Sequence, residues 1–385
     1  MPLRRDYLDL AAGLARRAAG DVEPNPMVGC VLVRDGVVIG FGHHRRYGDL
    51  HAEREALADC RRRGNDSRGA TAFVTLEPCC HHGKQPPCTD ALIEAGVKRV
   101  VYARPDPHAA SGGGAEVLRR AGIACELCPE SPIATRLSDP FVKRVTTGLP
   151  WVIAKWAQTA GGCMTTPEGE SPWITNRLSL KRVHRLRARV DAIVTGIGTV
   201  CADDPLLTAR GVRRVRRGAL RVVVEGGRTL PSECRLVKSV GSGPVVVVHA
   251  HSRDSAAPDP SLARGALSEP GHSFAPEALM GVDQLCVSGN GNRVDLAGML
   301  RQLVERHDVT NVMLECGPRL LASFFAAGLV DEALVYVAPP AGGGSGGAVA
   351  PDAPAEEALA GLDLVRVKRL GGDSERWYRR RPAIG

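Results

Sequence analysis

Apolar residues recur along the first third of the chain with two distinct periods, and the period changes where turn residues intervene. Residues 4–19 space their apolar side chains as one face of an amphipathic helix. Pro24-Asn25-Pro26 leads into an apolar run from Val28 to Val33, and Asp35-Gly36 turns it back into Val37 to Phe41, which predicts a hairpin. A helix over 52–63, a strand over 71–76, a helix from Cys88 to about Ala95, a strand over 99–103 and a helix over 115–121 follow. Strand and helix patterns in alternation predict an α/β sandwich. At Gly148-Leu149-Pro150 the pattern breaks and a second α/β series starts at Trp151, so domains of residues 1–147 and 148–385 are expected. In the second, strands are predicted at 151–157, 191–196, 220–226, 244–250, 283–289, 311–316 and 331–338, with helices at 176–189, 294–307 and 318–327. The stretch 251–281, broken by Pro, Ser and Gly, reads as a surface excursion, and Gly342 to Gly347 as a flexible loop or a phosphate-contacting one, the first favoured because no helix directly follows. No internal repeat is visible.

Composition narrows the class. A chain of 385 residues that is 44% hydrophobic can bury ample core. No apolar run approaches the ~20 residues of a membrane helix, so a soluble protein is expected. The net charge of +8 suits an anionic partner, either a phosphorylated metabolite or a nucleic acid. Arg213, Arg214, Arg216 and Arg217 form the densest basic run, but it lies between two predicted strands without interleaved aromatics and reads as a solvated loop. Twelve cysteines are too few for a disulfide scaffold, and no signal peptide is evident, so a reducing cytoplasm is expected.

The chemistry lies in His51-Ala52-Glu53, Pro78-Cys79 and Cys88. One imidazole and two thiolates suit zinc, and a carboxylate two residues from the histidine can stay off the metal. Zinc with three protein ligands keeps a fourth position for water, whose pKa it lowers from 15.7 to roughly 7. Glu53 would then carry the proton from water to a departing amine, as in zinc deaminases. The competing reading is a structural zinc site closed by a fourth ligand from Cys80, His81 or His82. His51 and Glu53 fall at one predicted helix start and Cys88 at another, where the helix dipole favours anionic groups.

With these residues laid out, the chain resembles the bifunctional deaminase–reductase family of riboflavin biosynthesis. In the first domain the resemblance rests on Pro24-Asn25-Pro26-Met27-Val28-Gly29-Cys30, Gly42-His43, His51-Ala52-Glu53 and the run from Glu77 to Cys88. Eight residues separate Cys79 from Cys88, whereas nucleoside and transfer-RNA deaminases have Cys-x₂-Cys. The resemblance implies that His51, Cys79 and Cys88 bind one zinc ion, that Glu53 is the proton shuttle, and that Asn25, His43 and His81 line a pyrimidine pocket. Gln85 stands where the family usually has Thr.

In the second domain the resemblance rests on Lys155-Trp156-Ala157, Ser171-Pro172-Trp173-Ile174-Thr175, Leu186-Arg187-Ala188, the run from Thr199 to Arg210, and Glu315-Cys316-Gly317-Pro318. It implies NADPH against Ala157, Trp173, Thr199, Asp203 and Gly317, and substrate against Ser171, Arg187, Leu207, Arg210 and Glu315. Two arginines would grip a ribose 5-phosphate through paired N–H donors. Gly196-Ile197-Gly198 lacks the third glycine and the following helix of a Rossmann turn. Thr159-Ala160-Gly161-Gly162 departs from the family's Ser/Thr-Leu-Asp-Gly by losing an acid at Gly161, and Gly226 replaces an expected Ser. The implied architecture is a cytidine-deaminase-like α/β/α sandwich followed by a dihydrofolate-reductase-like α/β domain. The implied reactions are hydrolytic deamination of 2,5-diamino-6-ribosylamino-4(3H)-pyrimidinone 5′-phosphate and NADPH-dependent reduction of its ribosyl group to ribityl. The expected partner is that pyrimidine ribotide, with no nucleic acid and no membrane, and a homo-oligomer is expected. Two other readings stand beside this one: a deaminase whose C-terminal half binds without reducing, and a nucleic-acid-editing deaminase.

Overall fold

The computed structural model describes residues 3–108, 110–164, 174–252, 281–291, 293–339 and 359–381. The chain divides into two compact units, one of residues 1–151 with 308–310 and one of residues 152–307 with 311–385. Of the expected excursion 251–281, residues 253–280 lie outside the described residues, as do Gly342 to Gly347 and the positions Ser171 and Trp173, while 251 and 252 belong to a strand.

In the first unit the order is α1 (Arg4–Ala15), β1 (Gly29–Arg34), β2 (Val37–His43), α2 (Ala52–Arg62), β3 (Thr71–Val74), α3 (Cys88–Glu94), β4 (Arg99–Tyr102), α4 (Gly114–Arg120), β5 (Ala124–Leu127), α5 (Pro132–Thr135) and α6 (Asp139–Thr147). The sheet runs β2-β1-β3-β4-β5, antiparallel through the first three strands and parallel beyond. Strand alternation sorts its side chains into two cores. Cys30, Leu32, Ala72, Val74 and Val100 meet Ala56, Leu57, Cys60, Leu92 and Leu118 from α2, α3 and α4. Val31, Val33, Phe73 and Val101 meet Leu8, Ala11, Ala12 and Ala15 of α1. The result is a three-layer α/β/α sandwich. Helix α6 ends at Gly148, whose φ of 68° is left-handed.

The second unit contains β6 (Trp151–Gln158), α7 (Arg177–Arg187), β7 (Ala192–Gly196), α8 (Ile197–Asp203), β8 (Leu220–Val224), α9 (Arg235–Lys238), β9 (Val245–Ser252), β10 (Val282–Asn290), β11 (Arg293–Val294), α10 (Leu296–His307), β12 (Asn311–Leu314), α11 (Pro318–Ala326), β13 (Glu332–Val337), β14 (Leu362–Leu370) and β15 (Asp373–Arg380). Its sheet runs β11-β10-β9-β8-β7-β12-β6-β13-β15-β14. The chain moves outward from β7 to β10 and then returns to insert β12 between β7 and β6. That reversal opens a crevice at the carboxyl ends of the strands, the usual ligand position in such sheets. Ala192, Ile193 and Val194 of β7, Val222, Val223 and Val224 of β8, Val245 to Val248 of β9 and Val312, Met313 and Leu314 of β12 are buried in succession, as cover on both faces of the sheet demands.

Several elements depart from expectation. Helix α8 begins at Ile197 directly after β7, so Gly196-Ile197-Gly198 does open a helix, although one of only seven residues. Strand β5 and helices α5, α6 and α9 were not anticipated, nor was the hairpin β14–β15, whose first strand exposes seven successive side chains between Leu362 and Leu370. The arginine run is only partly solvated. Arg213 and Arg214 are exposed, whereas Arg216 and Arg217 are half-buried and Arg217 pairs with Asp191.

Close packing of α1 on β1 is testable through two glycines. A Cβ on Gly29 would collide with the Ala11 carbonyl, whereas one on Gly13, inside α1, would meet nothing within 4 Å. Gly29→Ala should destabilise the first unit by about 1–3 kcal/mol. Gly13→Ala should stabilise it by about 0.5–1 kcal/mol by favouring helix. Urea unfolding reads both, and the opposite order would refute this packing.

Candidate functional site

Two helix starts and one strand end converge beside β1 and β3. His51 caps α2, Cys88 opens α3, and Cys79 follows β3 through Glu77-Pro78. The carboxylate of Glu77 accepts from the backbone N–H of Ala115 at 2.8 Å and of Asp106 at 3.1 Å, which fixes the approach to Cys79. His51 Nδ1 lies 3.4 Å from both Cys79 Sγ and Cys88 Sγ, and all three donor atoms lie within 4.8 Å of one another. Edges of this length fit a single tetrahedral ion with bonds of roughly 2.0–2.3 Å.

The thiols are electronically prepared for a cation. The hydrogen bond from Cys88 holds the Cys79 thiol down at about 4, and the same bond pushes Cys88 upward. A metal would bind both sulfurs as thiolates. The bond to Cys79 raises His51 as well.

A structural site would need a fourth protein ligand, and among the described residues none joins the three. Cys80 turns away, its Sγ meeting the carbonyls of Ser111 at 3.6 Å and Gly112 at 3.3 Å. His82 is exposed. Glu53 is 3% exposed in the first turn of α2 and faces the same cavity. Burial, and then the charge of Cys79, raises its carboxyl, so it can hold a proton closer to neutral pH than an ordinary glutamate.

The cavity beside these ligands measures about 260 Å³. Asn25 and His81 line it, and His81 Nδ1 is buried without a partner among the described residues, a polar atom open to a ligand. His43, however, is not in its wall. It closes β2, and the next side chain, His44, points into the cavity because successive residues face opposite ways. His44 donates from Nδ1 to the Leu50 carbonyl at 3.0 Å, which leaves Nε2 to accept from Asn25 Nδ2 at 3.2 Å. Burial lowers its pKa, so the ring stays neutral. At the mouth, Lys84 Nζ sits 3.8 Å over the Tyr47 ring, and Gln85 Nε2 donates to the Gly48 carbonyl at 3.1 Å. Lys84 also lines the cavity, and a lone lysine in a loop carries no spacing signal that would mark it in the sequence.

In the second unit, Ala157, Thr199 and Gly317 sit at or just beyond the carboxyl ends of β6, β7 and β12, three adjacent strands. Thr199 Oγ1 accepts from Gly317 N at 3.1 Å, which ties the start of α8 to the start of α11. Asp203 is exposed on the last turn of α8. Leu207 is buried with a left-handed φ of 52°, a strained backbone for a leucine.

Arg187 does not stand free as half of a phosphate clamp. Its Nε and Nη2 both donate to Glu315 at 2.8 Å, and Nη1 donates to the Thr208 carbonyl at 3.1 Å. Lys155 Nζ lies 3.4 Å from the same carboxylate. Burial alone would push Glu315 up, but the charges of Lys155 and Arg187 outweigh it and hold it at about 2. Arg210 remains exposed, its Nη1 donating only to Thr208 Oγ1 at 3.3 Å. Partial burial lowers its pKa, as do the positive charges of Arg187 and Arg235.

Known proteins bear on both units. The model of the cytidine and deoxycytidylate deaminase zinc-binding region matches residues 1–104, and that of the RibD C-terminal domain matches residues 150–374. The riboflavin biosynthesis protein RibD of Actinobacillus pleuropneumoniae is 36% identical over 340 residues, 88% of this chain and 84% of that one. RibD of Escherichia coli K12 is 36% identical over 345 residues, 86% of this chain and 87% of that one. Among solved structures, Acinetobacter baumannii RibD superposes with a TM-score of 0.77 at 32% identity, covering 98% of this chain and 99% of that one. A Thermotoga maritima diaminohydroxyphosphoribosylaminopyrimidine deaminase/5-amino-6-(5-phosphoribosylamino)uracil reductase does so with a TM-score of 0.77 at 30% identity and the same coverage.

Two outcomes are expected. Cys79→Ser or Cys88→Ser should lose stoichiometric zinc by elemental analysis while Cys80→Ser retains it; equal loss in all three would restore the four-ligand reading. Glu315 has a folded pKa of about 2 against an ordinary 4.5. A lowered carboxylate pKa contributes stability that is complete above about pH 4.5 and lost as pH falls towards 2. The acid limb of reductase-unit unfolding between those values should flatten in Glu315→Gln.

Proposed function

The chain belongs to the RibD family of riboflavin biosynthesis proteins, and from that premise we propose the residue roles by which its two units act. The protein is a bifunctional enzyme, a zinc-dependent deaminase joined to an NADPH-dependent reductase. It removes the 2-amino group of the diamino pyrimidine ribotide as ammonia and reduces the ribosyl group to ribityl. We assign deamination to residues 1–147 and reduction to 148–385.

In the first unit, His51, Cys79 and Cys88 hold zinc, which when bound supplies a water acidic enough to lose its proton at neutral pH. Glu53 takes that proton on its carboxylate and delivers it to the leaving amine. Its burial and raised pKa support both halves of this exchange. His44 orients Asn25 by binding its amide nitrogen, which leaves Asn25 Oδ1 to accept from the pyrimidine. His81 Nδ1 offers a second polar contact, and Lys84 at the mouth supplies positive charge for the 5′-phosphate.

In the second unit, NADPH bound along Ala157, Thr199, Asp203 and Gly317 supplies the hydride, with Trp173 as a further contact implied by the family. Gly317 caps α11, so a cofactor phosphate would meet backbone N–H groups there. Arg187, pinned by Glu315, carries Thr208 and with it the Leu207 segment against the substrate, while Ser171 and exposed Arg210 contact the ribotide. The exposed guanidinium of Arg210, which has no acidic partner among the described residues, supports its role as the phosphate contact.

A cytoplasmic location is supported by twelve cysteines that are all unpaired. A homo-oligomer is supported by Leu364, Val365 and Val367, which stand exposed on the edge strand β14.

The observation that carries this reading is the buried Glu53 beside an open three-donor site. Glu53→Gln should reduce ammonia release by about 10²–10⁴ with zinc still bound, and normal release would overturn the shuttle role. Arg210→Ala should raise the reductase KM for the ribotide with little change in kcat, followed by NADPH absorbance. A fall in kcat at unchanged KM would contradict phosphate binding.

A further inference from the structure

The loop that joins the two cysteine donors, residues 80–87, ends in Pro86-Pro87 immediately before Cys88. Neither proline has a backbone N–H, so this end of the loop can be held through its carbonyls but not through its nitrogens. One side chain takes both carbonyls. Arg54, in the first turn of α2, donates from Nε to the Pro86 carbonyl at 3.3 Å and from Nη2 to the Pro87 carbonyl at 2.8 Å. It is half-buried, and among the described residues no acid pairs with it. Its charge is thus directed at the two carbonyls.

The peptide between Pro87 and Cys88 is therefore gripped at both ends. Its carbonyl accepts from Arg54, and its N–H donates to Cys79 Sγ at 3.5 Å. The Cα of Cys88 continues from the same plane, so one peptide sets the position of one sulfur and hydrogen-bonds the other. Rotating it would move both. Arg54 lies three positions after His51, so the side chain that fixes this peptide is carried by the helix whose cap is the third donor. Hydrogen bonds in series polarise one another, and a charged donor at the far end strengthens the chain. We propose that Arg54 is a positioning residue for the zinc ion, which ties the Pro87–Cys88 peptide to α2, holds the Cys79 and Cys88 thiolates in place against His51, and slows loss of the metal. The inference rests on the assignment of these three residues as the zinc ligands. Groups that orient ligands without touching the ion typically change metal affinity by about 10–100-fold when removed.

Capture of zinc by a chromogenic chelator from the full-length, zinc-loaded protein tests it. Arg54→Met keeps the aliphatic stem but removes both donors, and it should speed zinc release by about 10–100-fold. Arg54→Lys keeps one cationic donor for the Pro87 carbonyl and should restore most of the wild-type rate. In cobalt-substituted protein the thiolate-to-metal charge-transfer band should shift in Arg54→Met and return in Arg54→Lys, a response that loss of packing alone does not give. Zinc release from Arg54→Met at the wild-type rate would overturn the proposal. So would fast release from Arg54→Met and Arg54→Lys alike with unaltered cobalt spectra, which would leave Arg54 a packing role only. Wild-type protein that holds no stoichiometric zinc would overturn the ligand assignment itself, and the proposal with it.

Discussion

Three electron-rich donors brought within 4.8 Å of one another in a buried pocket form the constraint around which the first unit is arranged. The pKa values of Cys79 and Cys88 move in opposite directions because each thiol acts on the other. The fold supplies the arrangement from its helix starts. His51 and Cys88 occupy the N-terminal ends of α2 and α3. Cys79 has no helix of its own and instead depends on Glu77, whose two backbone bonds brace the strand exit. Gly114 completes this support, because any Cβ there would strike the Pro78 carbonyl next to the ligand. The catalytic carboxylate follows from the same geometry. A residue two positions along α2 from His51 shares its turn, so Glu53 is buried beside the donors without joining them.

How much of this was legible depended on whether the signal was local. The metal donors and Glu53 stand in short runs whose spacing is itself the chemistry, and the neighbouring strands β1 and β3 read as unbroken apolar runs because both faces of the sheet are covered. His43 and His44 mark the limit of that logic. Alternation decides which of two adjacent residues faces the cavity only if the strand's register is known to its last residue, and the expected strand stopped at Phe41, two residues short of His43. The hairpin β14–β15 escaped for the opposite reason. Its strands carry charges where a buried strand would carry apolar residues, and ionic and aromatic contacts fill the role of a core. Glu375, 1% exposed, accepts from Arg182 and Arg366, and Arg366 lies 4.9 Å from the centre of the Trp377 ring. No periodicity announces such a strand.

The reductase unit was harder to read because its decisive contacts join residues far apart in the chain. Arg187 and Glu315 are separated by 128 positions, and each alone looks like an ordinary surface charge. Brought together and joined by Lys155, they form a buried cluster in which the carboxylate stays ionised far below neutral pH. Glu315 is therefore unsuited to proton transfer and suited to orientation. The reaction in this unit asks for little else, since hydride transfer requires alignment of cofactor and sugar rather than a nucleophilic side chain.

That distinction also bears on the departure at Thr159-Ala160-Gly161-Gly162. The turn closes with its own bonds: Gly162 N donates to the Thr159 carbonyl at 3.0 Å, Cys163 N donates to Thr159 Oγ1 at 3.1 Å, and Thr159 N donates to the Cys163 carbonyl at 2.9 Å. At Gly161 a Cβ would meet, among the described residues, only Thr159 Oγ1, at 3.8 Å, and the backbone there is not left-handed. The missing acid is thus neither excluded by space nor needed to hold the turn. The substitution leaves the turn's own hydrogen bonds in place. The crevice itself is set by the return of β12 between β7 and β6, a feature of chain topology that a change at one turn residue does not reach.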